Sequence, residues 1–173
     1  MTESQKYIQR YLDLIPSSDW LEEIKNSGQQ TLEIYTHLSE EESNYAYAEG
    51  KWSLKELLQH LIDAERIFVY RALRFSRKDK TTLPGWDEEL YAKYYYPNDR
   101  TMASLVEEFK TTRKSTELFF ENLNSEQLSE IGTANNNETS VETLGKLIVG
   151  HNIHHLNIIK ERYLTNLNSC KKP

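Results

Sequence analysis

The chain has 173 residues, a formal net charge of −6 and a single cysteine. That length suits one domain, spanning 1–173, with a substantial core. Its 38% hydrophobic and 28% charged residues describe a hydrophilic globular protein. The acidic balance argues against nucleic acid as the main partner, because duplex binding needs a basic face. No apolar run reaches membrane-span length, and residues 1–5 lack the apolar core of a signal peptide. No membrane association and a cytoplasmic location are therefore expected. Cys170, in a polar tail at 166–173, cannot build a disulfide framework.

Six glycines and four prolines fall between long helical patterns, and strand signals are nearly absent, so the chain reads as all-α. Residues 7–14 form a short amphipathic piece stopped at Pro16, part of an N-terminal extension over 1–16. Ser17-Ser18-Asp19 offers an N-cap to a helix over 20–38, with Trp20, Leu21, Ile24, Leu32, Tyr35 and Leu38 on its apolar side and Gly28 interrupting it. Residues 39–43 end that helix, and 45–50 make an aromatic connection. Ser53 and Glu56 then form a capping box that starts a helix to about Arg77, buried through Leu54, Leu57, Leu61, Ala64, Phe68, Ala72 and Phe75. The local basic run at 71–78 reads as a solvated face with a basic last turn.

A long connection follows over 78–100, with Leu83-Pro84-Gly85-Trp86-Asp87 as a turn and a short helix over 88–95 ended by Pro97. Thr101 caps a third long helix to about Leu123, buried through Leu105, Phe109, Leu118 and Phe119. Residues 124–138 read as a polar loop with a helical turn at 126–130. A capping box at Thr139 and Glu142 opens a last helix to about Leu164, and 171–173 are a frayed tail. Four long apolar stripes imply a four-helix bundle. The length of the 78–100 connection hints at a crossover, which decides whether the second and fourth long helices run parallel or antiparallel.

Three of the five histidines lie in Gly150-His151-Asn152-Ile153-His154-His155. His151 and His155 are one turn apart on the same helical face, a spacing at which two imidazoles can grip one ion. His60 lies roughly 90° from the middle of its helix's buried stripe, with Ile67 and Arg71 on the same flank. Three neutral imidazoles, His60, His151 and His155, facing one divalent ion would leave open positions, as catalytic sites do. The competing reading is three packed histidines with ordinary hydrogen-bond partners. His154 competes with His155 on spacing, and His37 reads as surface. Asp63 and Glu65 could fix a histidine tautomer, against the plainer reading of a solvated face. The Glu-x-x-His of di-iron bundles is absent, as are His-Glu-x-x-His, the Walker loop and the dinucleotide fingerprint.

Gly50-Lys-Trp-Ser-Leu-Lys-Glu-Leu-Leu-Gln-His60-Leu-Ile-Asp-Ala-Glu-Arg66 resembles the second-helix signature of the DinB-like superfamily. Ile148-Val-Gly-His151-Asn-Ile-His-His155 is similar to that family's His-x3-His helix, and Leu83-Pro-Gly-Trp-Asp87 to its central connection. The resemblance covers essentially the whole chain. It implies a four-helix bundle with the long crossover between the second and third helices, a homodimer, and a metal held by His60, His151 and His155. Zn or Ni is expected ahead of Fe or Mn. Members with known activity resemble thiol S-transferases using a low-molecular-weight thiol, or related isomerases and hydrolases. Thiol S-transfer to a small-molecule substrate is the leading expectation, with Arg71 as a candidate substrate contact. A metal-dependent hydrolase and a non-catalytic metal-binding stress-response protein are the alternatives.

Overall fold

The computed structural model describes residues 3–95 and 99–170, so the proposed stop at Pro97 and the tail at 171–173 lie outside it. Four long helices dominate: α2 (Trp20–Thr36), α4 (Leu54–Ser76), α6 (Met102–Glu121) and α8 (Val141–Ile158). Short elements join them: α1 (Glu3–Leu12), α3 (Glu40–Ser43), α5 (Glu88–Tyr94), α7 (Ser125–Ser129), the strands β1 (Ile131–Ala134) and β2 (Asn137–Ser140), and α9 (Thr165–Cys170) after a π-helical turn over Ile159–Leu164.

Local chemistry fixes most starts. Asp19 and Thr101 cap α2 and α6, and Ser53 with Glu56 closes the expected box on α4. Residues 39–43 do more than end α2, since Ser39 and Glu42 form a capping box of their own over α3. Asn124 and Gln127 do the same for α7. The start of α8 is displaced by one residue from expectation. Ser140, not Thr139, accepts from the Thr143 amide, and Glu142 is instead in an ion pair with Lys146 at 2.8 Å.

The strands were not expected. Asn135 and Asn136 both take positive φ (50° and 61°), the conformation a two-residue hairpin loop requires and one that asparagine tolerates. The hairpin then pins the long connection: Leu83 donates to Thr133 O at 2.9 Å, and its carbonyl accepts from Asn135 at 3.0 Å.

Inter-helix contacts give the directions. The α4 start meets the α8 end, where the Tyr163 hydroxyl donates to Trp52 O at 2.7 Å, so these two helices are antiparallel. Lys55 at the start of α4 donates to Arg100 O, just before α6, at 2.9 Å, and Glu65 farther along α4 pairs with Arg113 farther along α6, so α4 and α6 run parallel. Parallel neighbours joined in sequence require the connection at 78–100 to travel the bundle's length. This is the crossover, and α2, α4, α6 and α8 run up, down, down, up.

The buried apolar residues fall into two clusters. One holds Trp20, Ile24, Phe75, Phe120 and Leu144, and the other Tyr35, Leu58, Leu105, Phe109 and Ile159. Buried polar residues occupy the middle heights of the same helices, among them Ser27, Thr31, Glu65, Arg113, His151 and Asn152. On α6 the inward face is Leu105, Phe109, Arg113, Thr116 and Phe120, while Leu118 is 50% exposed, against expectation. An arginine in the inward stripe hides the period that Phe120 completes. Gly28 leaves room for this arginine, since a Cβ there would lie 2.9 Å from Arg113 Cγ.

Candidate metal centre

The capping box at Ser53 starts α4 so that His60 faces the bundle, and the crossover makes α8 antiparallel beside it. His60 Nε2 lies 3.0 Å from His151 Nε2, and His155 Nε2 lies 3.1 Å from the same atom. The three donor atoms fall within 4.8 Å of one another. Trp52 and Trp86 flank His60, with ring centroids 4.8 and 5.9 Å away, and Phe68 and Tyr11 stand edge-on to His151.

Burial holds all three imidazoles neutral. It lowers His60 to about 4, and it sets His151 and His155 well below the ordinary histidine value, with neighbouring histidines adding to the effect. Mutual hydrogen bonding cannot satisfy this arrangement. Each Nε2 carries either a proton or a lone pair, so His151 Nε2 can be matched by one neighbour as acceptor or donor and by the other only in the same role. It cannot accept two protons on one lone pair, nor donate one proton fully to two rings. His155 Nδ1 is buried without a hydrogen-bond partner. Three converging neutral nitrogens fit a divalent ion better than they fit one another.

The other candidates separate from this group. His154 is half-buried and packs edge-on to Tyr11 at 5.4 Å. His37 is exposed, as expected, with Nδ1 2.6 Å from Glu33 O. Neither carboxylate considered as a tautomer-fixing partner serves that role. Asp63 accepts from Gln59 at 2.8 Å, and Glu65, far from lying on a solvated face, is buried against Arg113. Arg71 also departs from the solvated-face reading of its segment: it is 8% exposed and donates to Pro84 O at 2.9 Å.

A cavity of about 610 Å³ opens beside His151, and one of about 240 Å³ beside His155. The former is walled by Tyr7, Ile8 and Tyr11 of α1, so the segment read as an extension forms part of the site. Tyr11's backbone packs on Gly150, where a Cβ would come within 2.2 Å of the Tyr11 carbonyl oxygen. Glu88, by sequence no more than the start of a short helix, lines the clefts reaching His151, His60 and His155 alike. Its side chain is exposed at the cleft rim, and partial desolvation there first, then Glu89 and Asp87, raise its carboxyl from the ordinary value. Its only sequence signal was its position directly after the Leu83–Asp87 block.

Fold and site together define a crossover four-helix bundle with a buried three-histidine centre between its second and fourth long helices. The DinB superfamily model matches residues 23–159, and the chain belongs to that family. A protein of Oceanobacillus iheyensis named "Putative metal-dependent hydrolase" is 27% identical over 144 residues, covering 82% of each chain. YfiT from Bacillus subtilis, described as "a probable metal-dependent hydrolase with an unusual four-helix bundle topology", superposes with a TM-score of 0.75. That match covers 97% of this chain and 90% of YfiT at 13% identity, and it speaks to fold alone. Among the described residues, no helix is long and apolar enough to cross a membrane.

Proposed function

We propose that this chain is a metal-dependent hydrolase of a small molecule, with His60, His151 and His155 holding one divalent ion. The observation that carries it is the approach of three neutral Nε2 atoms to 3.0 and 3.1 Å, with His151 Nε2 offering a single proton or lone pair to both neighbours. When bound, such an ion supplies Lewis acidity, lowering the pKa of a water and polarising the bond to be cleaved. The chain's own contribution is threefold. Burial keeps the imidazoles unprotonated, the Trp52, Trp86 and Phe68 rings shield them from bulk water, and Glu88 stands at the clefts as proton acceptor. A carboxylate whose pKa is raised is better matched to that task at neutral pH.

Elemental analysis of untagged protein tests the first part. One Zn or Ni per chain is expected, and His151→Ala should weaken binding by more than about a hundredfold, beyond the roughly 10–100-fold typical for loss of a supporting residue. Full occupancy in His151→Ala would remove the site. Glu88→Gln should keep the metal and lower turnover of whichever ester or amide a screen identifies, by about 10²-fold or more. Unchanged turnover would leave Glu88 a rim residue.

Thiol S-transfer is the second reading, favoured by the two cavities flanking the histidines, which allow a thiol and its acceptor to approach from different sides. Joint consumption of a low-molecular-weight thiol and an electrophile by metal-loaded protein, absent from His155→Ala, would select it over hydrolysis.

A further inference from the structure

Among the described residues two arginines are buried, and their surroundings differ. Arg113 spends its guanidinium on Glu65, Ile24 O, Ser27 and Asn152. Arg71, 8% exposed, gives one hydrogen bond to Pro84 O, and among the described residues no carboxylate pairs with it. A guanidinium carries five N–H donors and keeps its charge when buried, so an unpaired one is costly unless something else supplies the counter-charge. Arg71 lies on the wall of the 610 Å³ cavity that reaches His151. On the same wall Thr139 carries a buried hydroxyl without a partner.

The geometry points to this cavity as the binding site for a small molecule carrying one carboxylate on an apolar body, the carboxylate held by Arg71 and the body directed toward the histidines. Reading the histidines as the reacting centre rests on the function proposed above; the carboxylate site itself does not. Arg71 begins about 16 Å along α4 from His60, at 1.5 Å per residue, and helical side chains lean back toward the N-terminus, which here is toward the histidines. An extended molecule of several bonds spans the remaining distance. Ile8, Phe68, Leu144 and Leu147 give it apolar walls. The charge around the cavity selects among anions. Among the described residues Arg71 is the one cationic side chain lining it, while Asp87, Glu88 and Glu89 also line it. A phosphate dianion would meet one cation against three acids. A monocarboxylate is balanced by Arg71 and can keep its neutral body near the acidic side.

The test is calorimetric binding of 4-phenylbutyrate to the full-length protein, with its amide, 4-phenylbutanamide, as the neutral isostere and phenyl phosphate as the dianion. The parent should bind 4-phenylbutyrate about tenfold to a hundredfold more tightly than the amide, the scale of a charged hydrogen-bonded contact. Arg71→Met should abolish that preference while leaving amide binding and metal content as in the parent, and Arg71→Lys should recover part of it. No binding of 4-phenylbutyrate to the parent, equal affinity for acid and amide, or an undiminished preference in Arg71→Met would each overturn the proposal. So would tighter binding of phenyl phosphate. His151→Ala should lose metal yet retain the Arg71-dependent preference, so failure of the metal reading and failure of the carboxylate site register in different measurements.

Discussion

Two buried polar clusters sit side by side in the middle of this bundle and share α4 and α8. Glu65 and Asn152 belong to one, His60 and His151 to the other. The first is closed. Arg113 donates to Glu65 at 2.8 to 3.1 Å, to Asn152 at 2.7 Å and to Ile24 O at 2.7 Å, and Asn152 passes a bond on to Thr31. The second is open, with three nitrogens in contact and His155 Nδ1 without a partner. Buried polar groups are ordinarily satisfied. A network that satisfies itself reads as architecture, and a neighbouring one that does not reads as a site waiting for a ligand.

The comparison is broken most severely at Arg113. Arg113→Ala leaves the Glu65 carboxylate buried and uncompensated, and should cost about 3–5 kcal/mol in urea unfolding. Replacing both members by methionine should recover most of that loss, since a buried pair exchanged for apolar volume is often neutral or better. A single-variant loss below about 1 kcal/mol would mean that Glu65 finds water or a proton and the network is not closed.

Much of this arrangement was readable from residues alone. The His-x3-His spacing and the position of His60 permit the convergence, because helical geometry is local and strongly periodic, and the family resemblance selects it. The direction of the crossover became legible only through the family resemblance, since chain length cannot say how helices pack. The Arg113 network was invisible for a different reason. Glu65 and Arg113 look like solvated charges until they are seen to face each other across α4 and α6, and Arg113 falsifies the apolar period of α6. The hairpin was missed because its strands are four residues each and largely polar, the one signal being the consecutive Asn135 and Asn136. Arg71 stands out already as a candidate substrate contact on the flank of His60, whereas Glu88 acquires meaning only from a cavity assembled out of α1, α4, α5 and α8.

Acid should separate the clusters next. Unfolded histidines take up protons near pH 6.5, whereas burial lowers His60 to about 4 and holds His151 and His155 well below the ordinary value. Between about pH 6.5 and 4 the unfolded chain therefore binds more protons, and metal-free protein loses stability as pH falls through that window. Each extra proton contributes a slope of about 1.4 kcal/mol per pH unit. His60→Gln should flatten the dependence, measured as urea midpoints at several pH values, while above pH 7 the two proteins should run parallel. Equal slopes below pH 6.5 would mean that the folded rings accept protons freely and are not desolvated.

The smallest effect belongs to His154, the residue whose spacing competes with that of His155. The two adjacent rings have centroids 5.1 Å apart, yet His154 is directed at Tyr11 rather than at the other nitrogens. It rests edge-on to an aromatic ring that α1 supplies, and such a pair is worth about 0.5–1.5 kcal/mol. His154→Ala should therefore lower stability by no more than that amount, through looser docking of α1 on α8, and leave metal content at the parental level. His155→Ala should do the reverse, reducing bound metal while removing a buried imidazole whose Nδ1 has no partner to lose. If His154→Ala instead released the metal, the line between open and closed polar groups would have to be redrawn around Tyr11, with α1 carrying a partner of the centre rather than a wall of its cavity.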